Sequence, residues 1–160
     1  MKLRTLFFLF LMVFGLQQGY SQSYKFLTTG FSVLEKDAKG NWGKWSELQP
    51  SSMIITLDTN KNRIVIYSQE VQLYDIVEYQ DKTENEDDLI YPFSCKDDNG
   101  VPFTISIITR KKQGNRKQLY INQKDVIVVY NIVNFVDKNM NWFIQYYFFS
   151  CFIANTHFSI

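Results

Sequence analysis

The chain has 160 residues, 46% of them hydrophobic, 17% aromatic and 21% charged, with few Gly and Pro and a formal net charge of +1. That is material for one domain with a sizeable apolar core, which excludes a disordered chain, a collagenous repeat and a multidomain enzyme.

At the N-terminus Lys2 and Arg4 precede an unbroken apolar run, residues 6–16, and the chain then turns polar, with Gly19 and Ser21 as small residues two apart. This is the pattern of a secretory signal peptide over residues 1–21, cleaved after Ser21. The run is too short for a spanning helix, which needs about 20 apolar residues, so no stable membrane span is expected here. No cysteine follows the cleavage point. Without Lys2 and Arg4 the mature chain carries 15 basic and 16 acidic side chains. Such a near-neutral surface sets up no general field for nucleic acid or anionic lipid. The expected location is exported, periplasmic or extracellular.

From residue 22 onward the apolar period is close to two, and turn residues return about every ten positions, the signature of antiparallel strands. The first strand is expected over 24–35, with Leu27, Phe31 and Val33 on one face. Met53, Ile55 and Leu57 share a face in the next, and Ile64 and Ile66 in the strand that returns after the 58–62 turn. In residues 71–80, Val71, Leu73 and Val77 are set against Gln72, Tyr74 and Glu78, and an acidic loop, 81–88, follows.

Leu89, Tyr91, Phe93 and Cys95 then alternate with polar or proline positions, and Val101, Phe103, Ile105 and Ile107 do the same. Between them Asp97-Asp98-Asn99-Gly100 supplies a hairpin turn, since Asn-Gly takes positive φ at little cost. Pro92 and Pro102 fall on the outward set. A basic turn, 110–117, leads to strands over 118–122 and 125–133.

Eight sequential strands predict an all-β fold: a single antiparallel up-and-down barrel over residues 22–133, closed so that no edge is left unpaired. A two-sheet β-sandwich is the alternative, and the short local connections favour the barrel.

Gly40-Asn41-Trp42 and Gly43-Lys44-Trp45 both read Gly-x-Trp ahead of this meander. In that respect the chain resembles the lipocalin (calycin) superfamily. The order Trp45, 64–67, 95–100, 118–121 and Val129-Tyr130 is also similar to small exported calycin-like proteins of Bacteroidetes, whose function is unassigned. The resemblance implies a calycin-like barrel that binds small apolar molecules, with Trp42 or Trp45 as a barrel-closing side chain. Residues 125–133 lack the basic residue that packs over that tryptophan in lipocalins, so the carry-over stops at the tryptophan.

Residues 134–160 form an apolar, aromatic C-terminal tail. It holds nine of the 27 aromatic residues and no charge after Lys138. A final buried strand pair, a contact patch for membrane or partner, and a segment outside the selected fold are the three readings.

Catalytic motifs are scarce. The only histidine is His157, in the tail, so the one base open to a Ser-His or Cys-His pair lies outside the expected barrel, and no histidine-based zinc site is expected. No glycine-rich phosphate loop occurs. Asp58-x-Asn60-x-Asn62 imitates half a calcium loop, but Arg63 stands where glycine is needed, so it reads as a β-turn. No metal and no cofactor is expected. Cys95 and Cys151 are a candidate disulfide in an oxidising compartment, two buried free thiols being the alternative. The acidic loop is expected to be solvated, with the basic turn as a candidate ion-pair partner.

The function this supports is an exported, non-enzymatic binding module for a small apolar ligand or a protein partner. The candidate cavity residues are Trp42, Trp45, Ile64, Leu73, Tyr91, Phe93, Phe103 and Ile105. The alternatives are a hydrolase or isomerase using carboxylates inside the barrel, and a structural envelope-interaction protein without a ligand. Protein recovered from the exported fraction should begin at Gln22 by N-terminal mass spectrometry; an intact Met1 would refute the signal-peptide reading.

Overall fold

The computed structural model describes residues 23–136. The expected signal segment 1–21 and residues 137–160 of the tail, with Cys151 and His157, lie outside the described residues. Ten strands occur in chain order: β1 Ser23–Glu35, β2 Gln49–Pro50, β3 Ile54–Asp58, β4 Arg63–Tyr67, β5 Val71–Tyr79, β6 Thr83–Glu84, β7 Asp88–Lys96, β8 Pro102–Arg110, β9 Arg116–Asn122 and β10 Val126–Asn134. A 3₁₀ turn, Lys111–Gln113, precedes β9. Among the described residues no helix is long and apolar enough to cross a membrane.

Every pairing is antiparallel, and the spatial order β10-β9-β8-β7-β5-β4-β3-β1 follows the chain. Pairing of β1 with β10, from Phe26↔Asn134 to Glu35↔Val126, closes the sheet. The wall is thus a closed eight-stranded up-and-down barrel, with β2 and β6 as short additions on β1 and β7. It has the form of a calycin-like single barrel, and the sandwich alternative does not apply.

Alternation places one set of side chains inside. Phe26, Ile55, Ile64, Ile66, Tyr74, Ile76, Phe93, Cys95, Ile105, Leu119, Tyr130 and Ile132 form one buried cluster, with Phe31, Phe103 and Val128 against it. Tyr74 meets Phe103 within it at 5.1 Å between centroids, and the half-exposed Tyr79 meets Phe93 at its margin at 5.7 Å, both edge-on. Burying each such aliphatic side chain contributes about 1.5–3 kcal/mol, so this interior is the main source of stability.

Two bulges change which residues point inward. In β1 the register slips between Thr28 and Gly30, so Phe26 and Thr28 face the core before the bulge and Phe31 after it. Leu27, expected on the same face as Phe31, therefore lies on the opposite one, opposite Val133. The extra residue of a bulge reverses the alternation beyond it. Thr28 is 1% exposed, and its hydroxyl accepts from the Met53 amide at 2.8 Å and meets Ser51 Oγ at 2.7 Å. In β5 the slip lies between Ile76 and Glu78. Ahead of it Tyr74 and Ile76 already face inward while Val71 lies exposed on the other side, the reverse of the face expected from the sequence, and beyond it Tyr79, opposite Phe93, takes the inward register. Both faces of this strand carry apolar residues, and a shift of one residue exchanges them.

After β1 the chain reverses at 37–40 and residues 41–50 return alongside it as a strap. Gly43 N donates to Glu35 O and Ser46 N to Val33 O, and β2 pairs with Gly30 and Phe31. The strap also folds over the outward side of β1, where Ser32 Oγ donates to Ser46 O at 2.6 Å. Gly30 allows this approach: a Cβ there would stand 3.0 Å from the Gln49 carbonyl oxygen and 3.2 Å from a Leu48 methyl. Gly30→Val should therefore destabilise the domain by about 1–3 kcal/mol through overpacking, seen as a lower urea midpoint at unchanged slope; an unchanged midpoint would show that the strap is not held here.

Candidate functional site

The residues expected to line a cavity separate into three groups. Ile64, Phe93 and Ile105 are buried in the barrel interior, and Phe103 packs half-buried against them. Tyr91 shares their inward register, opposite Ile107, yet remains 42% exposed. It lies beyond the point where β5 stops covering β7, the last pair being Tyr79↔Phe93. Leu73 is half-buried on the outward side, opposite Val65. Trp42 and Trp45 are each 44% exposed and belong to the strap. Neither plugs the barrel, because the strap that carries them passes outside the wall.

Inside, Ile55, Ile64, Ile66, Ile105 and Leu119 have no exposed surface. Each is sealed by its neighbours, as expected of an eight-stranded barrel filled by large side chains. Tyr74 donates to Gln72 Oε1 at 3.1 Å, and burial pushes its hydroxyl up to about 12. Cys95 is a buried thiol, unbonded to any cysteine among the described residues, and desolvation pushes it up to about 12. It is therefore protonated and inert at neutral pH. Its suggested disulfide partner, Cys151, lies outside the described residues. The strand carboxylates Asp58, Asp75, Glu78 and Asp88 take outward register positions, and Glu35 stands exposed at the rim. Among the described residues no cluster of three or more potential metal ligands occurs.

The polar chemistry is concentrated on the outer wall of β8, β9 and β10. Arg110 is its centre: Nη1 donates to Asp88 Oδ2 at 2.6 Å, Nη2 to the Tyr120 hydroxyl at 3.1 Å and Nε to Gln118 Oε1 at 3.3 Å. The hydrogen bond that Arg110 donates to Tyr120 raises the Arg110 pKa most, and Asp88 adds to it. Gln118, buried, donates in turn to Asn131 Oδ1 at 3.0 Å. The strap joins this network through Trp45, whose ring meets Tyr120 edge-on at 6.4 Å. At the strap's base Lys36 Nζ sits 4.8 Å over the Trp42 ring and donates to Lys124 O at 2.6 Å. A tryptophan and a tyrosine, an arginine and two amides thus share one face of the sheet. Sequence reasoning missed this group, because only cross-strand register brings residues 45, 88, 110, 118, 120 and 131 together.

The acidic loop and basic turn meet as charge complementarity suggests. Lys111 Nζ lies 2.7 Å from Glu84 Oε1 and Lys112 Nζ 2.5 Å from Asp87 Oδ1. Lys111 holds the Glu84 carboxyl below its ordinary range, chiefly by this hydrogen bond. Beside the Arg110 network a groove of about 510 Å³ crosses the ends of β9 and β10, lined by Thr29, Gly114 to Lys117 and Asn131 to Asn134. At the other end of the barrel, Val101, Pro102 and Gln123 to Asp125 line a groove of about 380 Å³. The Asp58–Asn62 segment is a β-turn, its Asp58 carboxylate accepting from the Asn60 and Lys61 amides.

No family model matches the chain, and no curated protein or solved structure shows significant similarity to it.

Removing Arg110 would leave Gln118, Tyr120 and Asp88 without their shared donor. Arg110→Ala should cost about 1–3 kcal/mol in urea unfolding, whereas Lys112→Ala, which breaks only an exposed pair, should stay within about 0.5 kcal/mol. Equal effects would refute a central role for Arg110.

Proposed function

We propose that the protein is an exported, non-enzymatic binding module that engages a protein partner through the outer wall of its barrel, at the surface made by the strap and β8 to β10. It is calycin-like in its wall but uses that wall differently from a barrel that encloses a ligand. One observation carries the reading: Ile55, Ile64, Ile66, Ile105 and Leu119 are fully buried in the interior, while outside it Trp45 stands half-exposed against Tyr120, which Arg110 overlies, and Trp42 half-exposed under Lys36. Tryptophan, tyrosine and arginine are the side chains that dominate the energetics of protein interfaces, because they bury large areas while keeping a polar handle. Here they are already ordered by mutual contacts, so little side-chain entropy remains to be lost on association.

The non-catalytic part of the proposal rests on the buried, protonated state of Cys95 and on the outward register of Asp58, Asp75, Glu78 and Asp88, with Glu35 exposed at the rim. A carboxylate hydrolase inside the barrel would need an acid pair pointing inward.

The experiment is affinity capture from the exported fraction with the wild-type domain and with Trp45→Ala, joined to native mass spectrometry of the purified protein. The wild type should retain a defined protein species in fixed stoichiometry, and Trp45→Ala should weaken retention at least about ten-fold while unfolding cooperatively. An apolar small molecule that co-purifies with both proteins would overturn the proposal in favour of a ligand inside the barrel.

A further inference from the structure

Strand register sets Arg110 and Arg116 directly opposite each other on the outward face of β8 and β9. Like charges in that relation destabilise a sheet. Arg110 is neutralised by Asp88, but Arg116 has no ion pair or side-chain hydrogen bond among the described residues. The nearby carboxylates are already engaged, Glu84 by Lys111, Asp87 by Lys112 and Asp88 by Arg110. A local conflict of this kind, uncompensated within the fold, marks a functional position.

Arg116 lines the groove of about 510 Å³, a size that accommodates a drug-sized ligand or a short stretch of peptide. Lys117 follows it, its ammonium held by Asn134 Oδ1 at 2.9 Å. The rest of the lining is amide, hydroxyl and aliphatic, with Asn115, Asn131, Thr29 and Val133, and it includes no carboxylate. Asn131 ties the groove to the Arg110 network through Gln118.

We infer that this groove receives an extended, acidic segment of the partner protein, a carboxylate of which pairs with Arg116. This deepens the outer-wall reading and rests on it. The chemistry is that of a peptide. Arg116 offers a planar fork to a carboxylate, and asparagine side chains present both a donor and an acceptor to a peptide backbone. Val133 gives an apolar side chain something to cover.

The test uses a fluorescein-labelled peptide of alternating Glu and Val, with the Gln/Val peptide, an oligogalacturonate and inorganic phosphate as comparators. The Glu/Val peptide should bind and weaken with added salt. Arg116→Gln, or replacement of the peptide's Glu by Gln, should each reduce affinity at least about ten-fold. In the free protein at low ionic strength, Arg116→Gln should raise the melting temperature by relieving the Arg110–Arg116 opposition; a purely structural arginine would lower it. Equal binding of both peptides, indifference to Arg116→Gln, a lowered melting temperature, tighter binding of the galacturonate, or full displacement of the peptide by phosphate would each overturn the inference. Capture of a partner that still depends on Trp45 would then show that this inference alone had failed.

Discussion

The pairing of β1 with β10 is the constraint on which the rest of the molecule depends. Seven of the eight neighbour pairs in the wall join strands that follow one another along the chain, apart from the short β2 and β6 additions, and the longest of their connections is the strap between β1 and β3. The eighth joins the two ends of the meander across most of its length. Until it forms, β1 and β10 each expose a long edge of unpaired amides, the condition that invites pairing with other chains. Its formation also brings Phe31 against Tyr130, with ring centroids 6.1 Å apart, and completes the interior cluster.

Closure also determines where chemistry can be placed. The interior cluster is built mainly of Ile, Leu, Phe and Tyr, and the Arg110 network lies on the outside. Five polar or charged side chains, Asp88, Arg110, Gln118, Tyr120 and Asn131, satisfy one another there in a single chain of hydrogen bonds. Such a network fixes side-chain geometry at low cost when its donors and acceptors all have partners. The strap then sets an indole against it, and Gly30 is the residue that lets the strap come close enough.

Much of the wall was legible because hairpin chemistry is local. Asn99-Gly100 turns β7 into β8, Pro102 opens a strand where its missing donor does no harm, and the alternation from Phe93 to Ile107 survives intact in the structure. The faces of β1 and β5 were not legible. In β1 Thr29 stands at a slip in register that no local signal announces, and in β5 apolar residues lie on both faces, so the alternation does not choose between them. The strap was hidden for a related reason. Gly-x-Trp occurs twice in it, but the side of the wall that Trp45 takes shows only in its contact with Tyr120, 75 residues away. The outer network was hidden likewise, since Trp45 and Tyr120 meet only after β1, β10 and β9 are side by side.

At one end of the barrel the start of β1 and the end of β10 lie together, with Phe26 opposite Asn134 and the Phe135 amide donating to Lys25 O. In space the wall is therefore a ring of hairpins with no privileged first member. A circular permutant that joins these neighbouring ends by a short linker and opens the chain at the Asp97–Gly100 turn retains every wall pairing. What changes is which contact spans the whole chain: β7 with β8 in place of β1 with β10. The slow, entropically costly step of closing the cylinder can thus be moved around its circumference without altering the cylinder itself.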